Sequence, residues 1–287
     1  MNNNIIKAGV IGDPISHSLS PIIHNFFLDK YNINGTYEAI LVKKDDLKSK
    51  VKYLIKNNFA GFNVTIPHKE EIFLMCDYLS NSARAIGAVN TVIITDDKKI
   101  FGHNSDSAGF INNLKFNAPN FDLKSKEVFL VGAGGASRAI IYGLIKSSVS
   151  KIFIYNRDQQ RATNLIKHFS SFANENNCQL GILDKKSFDD NLKNCDLLVN
   201  SSSLGMEGQD PLIIDLSKLN KTALVYDIVY KPLITDLLNQ ANKKGNTIIT
   251  GIGMLINQAL IGFEAWYKKK PENDQQLEKI LLKNLKL

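Results

Sequence analysis

Gly132-Ala133-Gly134-Gly135-Ala136-Ser137 follows the apolar run Val128-Phe129-Leu130-Val131 and opens a helical pattern. In that setting Gly132 makes a tight turn, Gly134 lets the backbone approach a pyrophosphate, and the helix start offers N–H groups to the anion. Ser137 takes the third small position and is still compact enough for close packing. The pattern therefore offers Gly132, Gly134 and the helix start as a dinucleotide site. The next strand ends in Tyr155-Asn156-Arg157-Asp158, with Arg161 beyond. An NAD site puts a carboxylate there for the ribose 2′-OH. Asn156 carries no charge, whereas Arg157 and Arg161 can clamp a 2′-phosphate through forked, charge-assisted hydrogen bonds. The cofactor read from these residues is NADP. Asp158 opposes that reading, because an anion beside the phosphate weakens the preference.

A second group of chemically able residues lies in the first half. Ser16 and Ser18 follow the first strand, Thr65 ends another with Lys69 just past it, and Asn90 and Asn104/Asp106 sit at later element boundaries. Ligands of open α/β sheets bind beyond the carboxyl ends of strands. These groups can thus converge on a hydroxylated, anionic small molecule. Each also has a local structural use: the serines as turn formers, Asn90 as a strand-start hydrogen bonder, Asp106 as a helix cap.

The elements that must position them alternate as short β-rich runs and helical patterns, the signature of an α/β fold with largely parallel sheets. Strands are predicted at 7–11, 37–42 and 61–66, with a hairpin of 89–94 and 99–101. Ser20 reads as a helix N-cap with Pro21 behind it. The Asn/Pro-rich stretch 117–120 reads as a linker, and a second series of six strands follows between 127 and 250. Helices at 254–268 and 274–287 close the chain. The 287 residues suffice for two domains. The net charge of +7 is spread over scattered lysines without aromatic interleaving, which describes a solvated surface attractive to small anions and not a nucleic-acid binder. Three cysteines, Cys76, Cys178 and Cys195, form no CxxC pair and point to a reducing compartment. With no signal-like start and no apolar run of membrane-spanning length, the expected location is the cytoplasm and no membrane partner is expected. His17, His24, His103 and His168 lack metal-ligand spacing, so no metal is expected. Trp266 is read as core.

Seven segments together resemble the shikimate dehydrogenases of the shikimate/quinate dehydrogenase family. They are Gly12-Asp13-Pro14-Ile15-Ser16-His17-Ser18-Leu19-Ser20-Pro21, Asn63-Val64-Thr65-Ile66-Pro67-His68-Lys69, Gly87-Ala88-Val89-Asn90-Thr91, Gly102-His103-Asn104-Ser105-Asp106, the glycine-rich turn through Arg138, Tyr226-Asp227-Ile228-Val229-Tyr230 and Gly251-Ile252-Gly253-Met254-Leu255-Ile256-Asn257-Gln258. They follow the family's order through nearly the whole chain. The resemblance implies NADPH-dependent reversible reduction of 3-dehydroshikimate to shikimate, on the route to chorismate and the aromatic amino acids, by a monomer or homodimer. It implies shikimate contacts from Ser16, Ser18, Thr65, Lys69, Asn90, Asp106, Tyr230 and Gln258, with Lys69 and Asp106 as the catalytic pair. It places the nucleotide on residues 132–136, on Asn156, Arg157, Asp158 and Arg161, and on Ile228 and Gly251. It also implies a substrate domain of residues 1–106 and 251–287 around a Rossmann-type domain of 107–250, a return that the linear reading with its boundary near 118 does not contain. Three positions depart from the usual pattern: Ser105 replaces Thr, His68 stands at an apolar or aromatic position beside Lys69, and Asp158 replaces Thr. A quinate/shikimate dehydrogenase using NAD or NADP, and a non-catalytic NADP-binding regulator, are the alternatives; the presence of Lys69 and Asp106 speaks against the regulator.

Overall fold

The computed structural model describes residues 5–272 and 274–285. The chain forms two compact units, Met1–Asp106 with Leu255–Leu287, and Ser107–Met254. The stretch 117–120 is not a boundary. Phe110 and Leu114, on the helix preceding it, are buried in one cluster with Leu123, Val128 and Ile140, so that helix belongs to the second unit. Residues 251–254 also fall within the second unit.

The first unit contains β1 (Ile6–Gly12), α1 (Ser20–Lys30), β2 (Gly35–Leu41), α2 (Leu47–Lys56), β3 (Phe59–Val64), α3 (Lys69–Met75), β4 (Tyr78–Leu79), α4 (Asn81–Ile86), β5 (Thr91–Ile94) and β6 (Ile100–His103). Its sheet has the order β2-β1-β3-β5-β6-β4. β1 runs parallel to β2 and β3, whereas β5 is antiparallel to both β3 and β6. The reversal comes from the 95–99 turn, where Lys98 adopts φ 63° and its N–H meets the Thr95 carbonyl. Pairing Asn63 with Thr91 and Thr91 with His103 brings the ends of β3 and β6 and the start of β5 to one edge of the sheet. Apolar side chains of α2 and α3, including Leu47, Val51, Leu54 and Ile72, pack on Ile11, Phe62, Val64 and Val92.

Ser20 is not the N-cap that the sequence suggests. It is the first residue of α1, and its N–H reaches back to the Ser18 hydroxyl at 3.3 Å. Trp266 is core, 3% exposed, and its indole N–H donates to the Val92 carbonyl at 2.9 Å.

The second unit holds α5 (Asp106–Asn117), β7 (Glu127–Val131), α6 (Gly135–Lys146), β8 (Lys151–Tyr155), α7 (Gln159–Glu175), β9 (Gln179–Ile182), α8 (Lys185–Asn191), β10 (Leu197–Asn200), β11 (Leu224–Asp227), α9 (Asp236–Lys243) and β12 (Thr247–Ile249). α5 takes its first residue from the first unit. α10 (Ile252–Tyr267) starts in the second unit and belongs to the first from Leu255, and α11 (Gln275–Asn284) follows it. All six strands are parallel, ordered β12-β11-β10-β7-β8-β9. The winding reverses between β7 and β10, where a doubly wound sheet opens its ligand crevice. Among the described residues, no helix is long and apolar enough to cross a membrane.

Candidate active site

In the first unit the polar groups gather at the sheet edge where β1, β3 and β6 end. Lys69 opens α3, Asp106 follows β6, and the Lys69 Nζ and Asp106 Oδ2 form a close ion pair. Both side chains are largely buried, 15% and 7% exposed. The pair is therefore held in a poorly solvated place, where a charge-assisted hydrogen bond is strong and directional. Asn90 organises its surroundings. Its Oδ1 accepts the Ser105 N–H at 2.8 Å, which leaves Nδ2 to donate to Asp106 Oδ1 at 2.8 Å and to the Ser105 hydroxyl at 3.0 Å. Gln258 sits at the margin, its Oε1 3.5 Å from Asn90 Nδ2. Asn104 Oδ1 accepts the Asp106 N–H at 3.0 Å, so Asn104 caps this helix start and the Asp106 carboxylate is left for Lys69 and Asn90.

The loops carrying Ser16, Ser18 and Thr65 lie side by side: the Asp13 N–H donates to the Ile66 carbonyl at 2.9 Å. A Cβ on Gly12 would lie 2.3 Å from Thr65 Cγ2, so only glycine permits this approach. Ser16 is exposed, and Ser18 and Thr65 are half-buried. His68 is buried, and its Nε2 meets the Val42 carbonyl at 2.7 Å.

The second unit shows a separate cradle. Gly132 adopts φ +111°, and a Cβ there would stand 2.9 Å from Ser201 Oγ and 3.1 Å from the Ser202 nitrogen. A Cβ at Gly134 would meet nothing within 4 Å, so this stretch of backbone is open. Ser137 is more than a small residue: its hydroxyl accepts the Gly134 N–H at 3.0 Å and lies 2.8 Å from the Ser201 hydroxyl. The turn is thereby fixed while the first-turn N–H groups of α6, which have no intrahelical acceptors, are directed to the crevice. At the end of β8, Asp158 caps α7 by accepting the Arg161 N–H at 3.1 Å. Asn156 Nδ2 donates to the Asp158 carbonyl at 2.7 Å, and the exposed Arg157 guanidinium lies 3.5 Å from Asp210 Oδ2. Ile228 and Gly251 are neighbours, since a Cβ on Gly251 would stand 2.1 Å from the Ile228 carbonyl oxygen. An open glycine backbone at a helix start beside two arginines fits a phosphorylated dinucleotide.

Family models match both halves of the chain: a shikimate dehydrogenase substrate binding domain at residues 10–92, and shikimate / quinate 5-dehydrogenase at residues 115–213. A shikimate dehydrogenase (NADP(+)) of Paramagnetospirillum magneticum is 41% identical over 98% of this chain and 100% of its own. The chain belongs to the shikimate dehydrogenase family. Among solved structures of this family, the shikimate 5-dehydrogenase of Thermus thermophilus in complex with NADP(H) and shikimate has a TM-score of 0.84 and 31% identity, covering 98% of this chain and all of that one. The quinate dehydrogenase of Corynebacterium glutamicum in complex with NAD is also similar, with a TM-score of 0.86, 29% identity and 99% coverage of both chains.

Of the site residues expected from the resemblance, Lys69, Asn90, Asp106 and Gln258 join one hydrogen-bonded group in the first unit, with Ser16, Ser18 and Thr65 on the adjoining loops. Tyr230 lies in the second unit, as do the residues expected to hold the nucleotide. Sequence reasoning missed Asn63, whose Nδ2 donates to the Asn90 carbonyl at 3.1 Å, and Ser201, which braces Gly132 and Ser137. It also missed Asp227, buried at the end of β11. Its Oδ1 accepts from Asn200 Nδ2 and the Val229 N–H, both at 2.9 Å, and its Oδ2 from the Thr235 hydroxyl at 2.7 Å. Asn63 and Asp227 lie inside segments of the family pattern, but strand residues at such places read as edge polar groups until their partners are known.

Proposed function

We infer that the protein is an NADP-dependent oxidoreductase acting on a CH–OH group, a shikimate dehydrogenase that reversibly reduces 3-dehydroshikimate to shikimate. The observation that carries this reading is the buried Lys69–Asp106 pair, held by Asn90 at the strand ends of the first unit. Bound NADPH would supply the hydride, and bound NADP⁺ would take it up in the reverse direction. As the ketone oxygen gains charge, Lys69 supplies a proton and a neighbouring cation. Asp106 holds the ammonium and accepts from the reacting hydroxyl, and Asn90 holds Asp106. In the oxidative direction Lys69 receives the hydroxyl proton, so alkaline medium drives that direction by mass action. Ser16 and Ser18 offer hydroxyl donors to the substrate carboxylate, and Thr65, Gln258 and Tyr230 complete the substrate contacts. The nucleotide lies on residues 132–136, 156–158 and 161, with Ile228 and Gly251. Three cysteines, none of them paired, support a reducing, cytoplasmic setting, and a monomer or homodimer is the assembly proposed.

The test offers shikimate or quinate, each with NADP⁺ or NAD⁺, to purified protein and follows reduced nicotinamide by absorbance at mildly alkaline pH. Strong turnover confined to shikimate with NADP⁺ is expected. Comparable rates with NAD⁺ or quinate would move the assignment to a dual-specificity quinate/shikimate dehydrogenase, a second reading favoured by Asp158 and Asp210 beside the arginines. No turnover by folded protein would overturn both.

A further inference from the structure

The hydrogen bonds around the catalytic pair do not stop at Asn90. We propose that Tyr37, on an outer strand of the first unit, is a positioning residue for the Lys69–Asp106 pair, acting through Asn63, Thr91 and Asn90; the proposal rests on the reaction assigned above.

Two backbone groups fix the direction of this chain of hydrogen bonds. The Asn90 carbonyl can only accept, so Asn63 turns its Nδ2 toward it at 3.1 Å and its Oδ1 away. The Ser105 N–H can only donate, so Asn90 turns its Oδ1 toward it and its Nδ2 toward Asp106. Between the two amides stands the Thr91 hydroxyl, which accepts from Asn63 Nδ2 at 3.2 Å and donates to Asn90 Oδ1 at 2.9 Å. The Asn63 Oδ1 left over is buried and receives the Tyr37 hydroxyl at 2.6 Å. The bonds from Tyr37 to Asp106 therefore run with one polarity throughout. Without the phenol hydroxyl, Asn63 holds a buried carbonyl oxygen lacking that donor, and its amide gains a reason to turn over. A turned Asn63 no longer donates to Thr91, and the orientation is lost step by step toward Asn90.

The fold secures the first member of the chain. Tyr37 pairs with Ala8 on β1, and Val10 of β1 pairs with Asn63. Alternation therefore puts Tyr37 and Asn63 on one face, with the small Ala8 between them. The ring is clamped by His24, stacked at 3.9 Å and 9°, with Trp266 at 5.8 Å. Burial lowers the His24 pKa to about 3, which keeps that plate neutral, and raises the Tyr37 phenol well above its ordinary value, which keeps its proton.

The experiment compares Tyr37→Phe, Thr91→Val, their double variant and Tyr267→Phe. Tyr267 is the matched control: its hydroxyl donates to the Thr36 carbonyl at 2.9 Å, a bond of the same unit outside the chain described. Wild-type turnover of shikimate with NADP⁺ is measured first and tests the functional reading by itself. Tyr37→Phe and Thr91→Val are then expected to lower kcat by about tenfold each, with the KM for NADP⁺ within about twofold of wild type. The double variant should be no slower than the worse single one, since both cut the same chain. Tyr267→Phe should keep the wild-type kcat even where its Tm falls. The proposal is overturned by a wild-type kcat in Tyr37→Phe, by an equal kcat loss in Tyr267→Phe, or by multiplicative losses in the double variant. Should Tyr37→Phe fail to fold, Thr91→Val decides: a lowered kcat at unchanged KM for NADP⁺ upholds the proposal, and a wild-type kcat overturns it.

Discussion

Lys69 and Asp106 come from different elements, one at the start of α3 and one just past β6, and neither side chain has room to wander. Such an arrangement assigns them separate losses on mutation. Lys69→Ala removes the proposed proton donor and cation, and is expected to lower kcat by about 10²–10⁴-fold. Shikimate affinity, measured by calorimetry, should change only a few-fold, because the hydroxyl contacts remain. A near-normal kcat would remove Lys69 from the chemistry. Arg157 raises a different question at the same scale. Its partner Asp210 lies 3.5 Å away, with both side chains exposed. An exposed pair is weakly held, so the guanidinium can exchange Asp210 for a 2′-phosphate, but against a competitor. Asp210→Asn should therefore lower the KM for NADP⁺ by about threefold and leave that for NAD⁺ nearly unchanged. Equal shifts for both cofactors would show that Asp210 does not act through Arg157. Asp158 turns out to be committed in part to α7, which it caps, and a Thr at that place can do the same.

Asp227 shows how one residue can organise an element. It ends β11, and its three hydrogen bonds tie Asn200 on β10 to Val229 and Thr235 in the connection that carries Ile228 and Tyr230. Burial raises its pKa to about 6, against the donors that favour the carboxylate. A raised carboxyl pKa gives stability that is present below the unfolded value near 3.8 and lost as pH rises toward 6. Asn can replace the bonding, with its oxygen toward Asn200 and Val229 and its NH₂ toward the Thr235 hydroxyl, and it has no charge to bury. The Tm of Asp227→Asn relative to wild type should therefore rise between pH 4 and pH 7, by a margin on the order of 3 kcal/mol in stability. A constant difference would mean that Asp227 titrates elsewhere. Roles of this kind explain what the sequence did not disclose. The glycine-rich turn, the strand series and the family's segments were legible because local composition determines them. The division after Asp106 came from the family resemblance alone; the linear reading missed it, since it depends on Phe110 and Leu114 facing the second unit's core. The antiparallel β5–β6 pair was legible as the hairpin of 89–94 and 99–101, but the antiparallel pairing of β5 with β3 was hidden, since it joins strands far apart in the sequence. Ser20 was misplaced by one position, the ordinary error when two hydroxyls flank a helix start.

At the scale of the whole molecule the relevant quantity is the net charge of +7. Its lysines are spread along the chain and form no single track, so their effect is a diffuse attraction for anions and not a contact. That attraction decays over a Debye length of about 10 Å at 0.1 M salt and about 3 Å at 1 M. Local bonds in the glycine cradle and the buried Lys69–Asp106 pair are screened far less. The two effects separate by experiment. Raising salt from about 0.05 to 0.5 M should increase the KM for NADP⁺ several-fold and leave kcat nearly constant, because the chemistry takes place between poorly solvated groups. The same titration with NAD⁺ should give a shallower slope, since NAD⁺ lacks the 2′-phosphate that Arg157 and Arg161 are proposed to bind. Asp210→Asn should steepen the NADP⁺ slope, having removed an anion from that surface. Parallel slopes for the two cofactors would mean that the 2′-phosphate is read by neutral hydrogen bonds, and that the arginines contribute no charge-based selection.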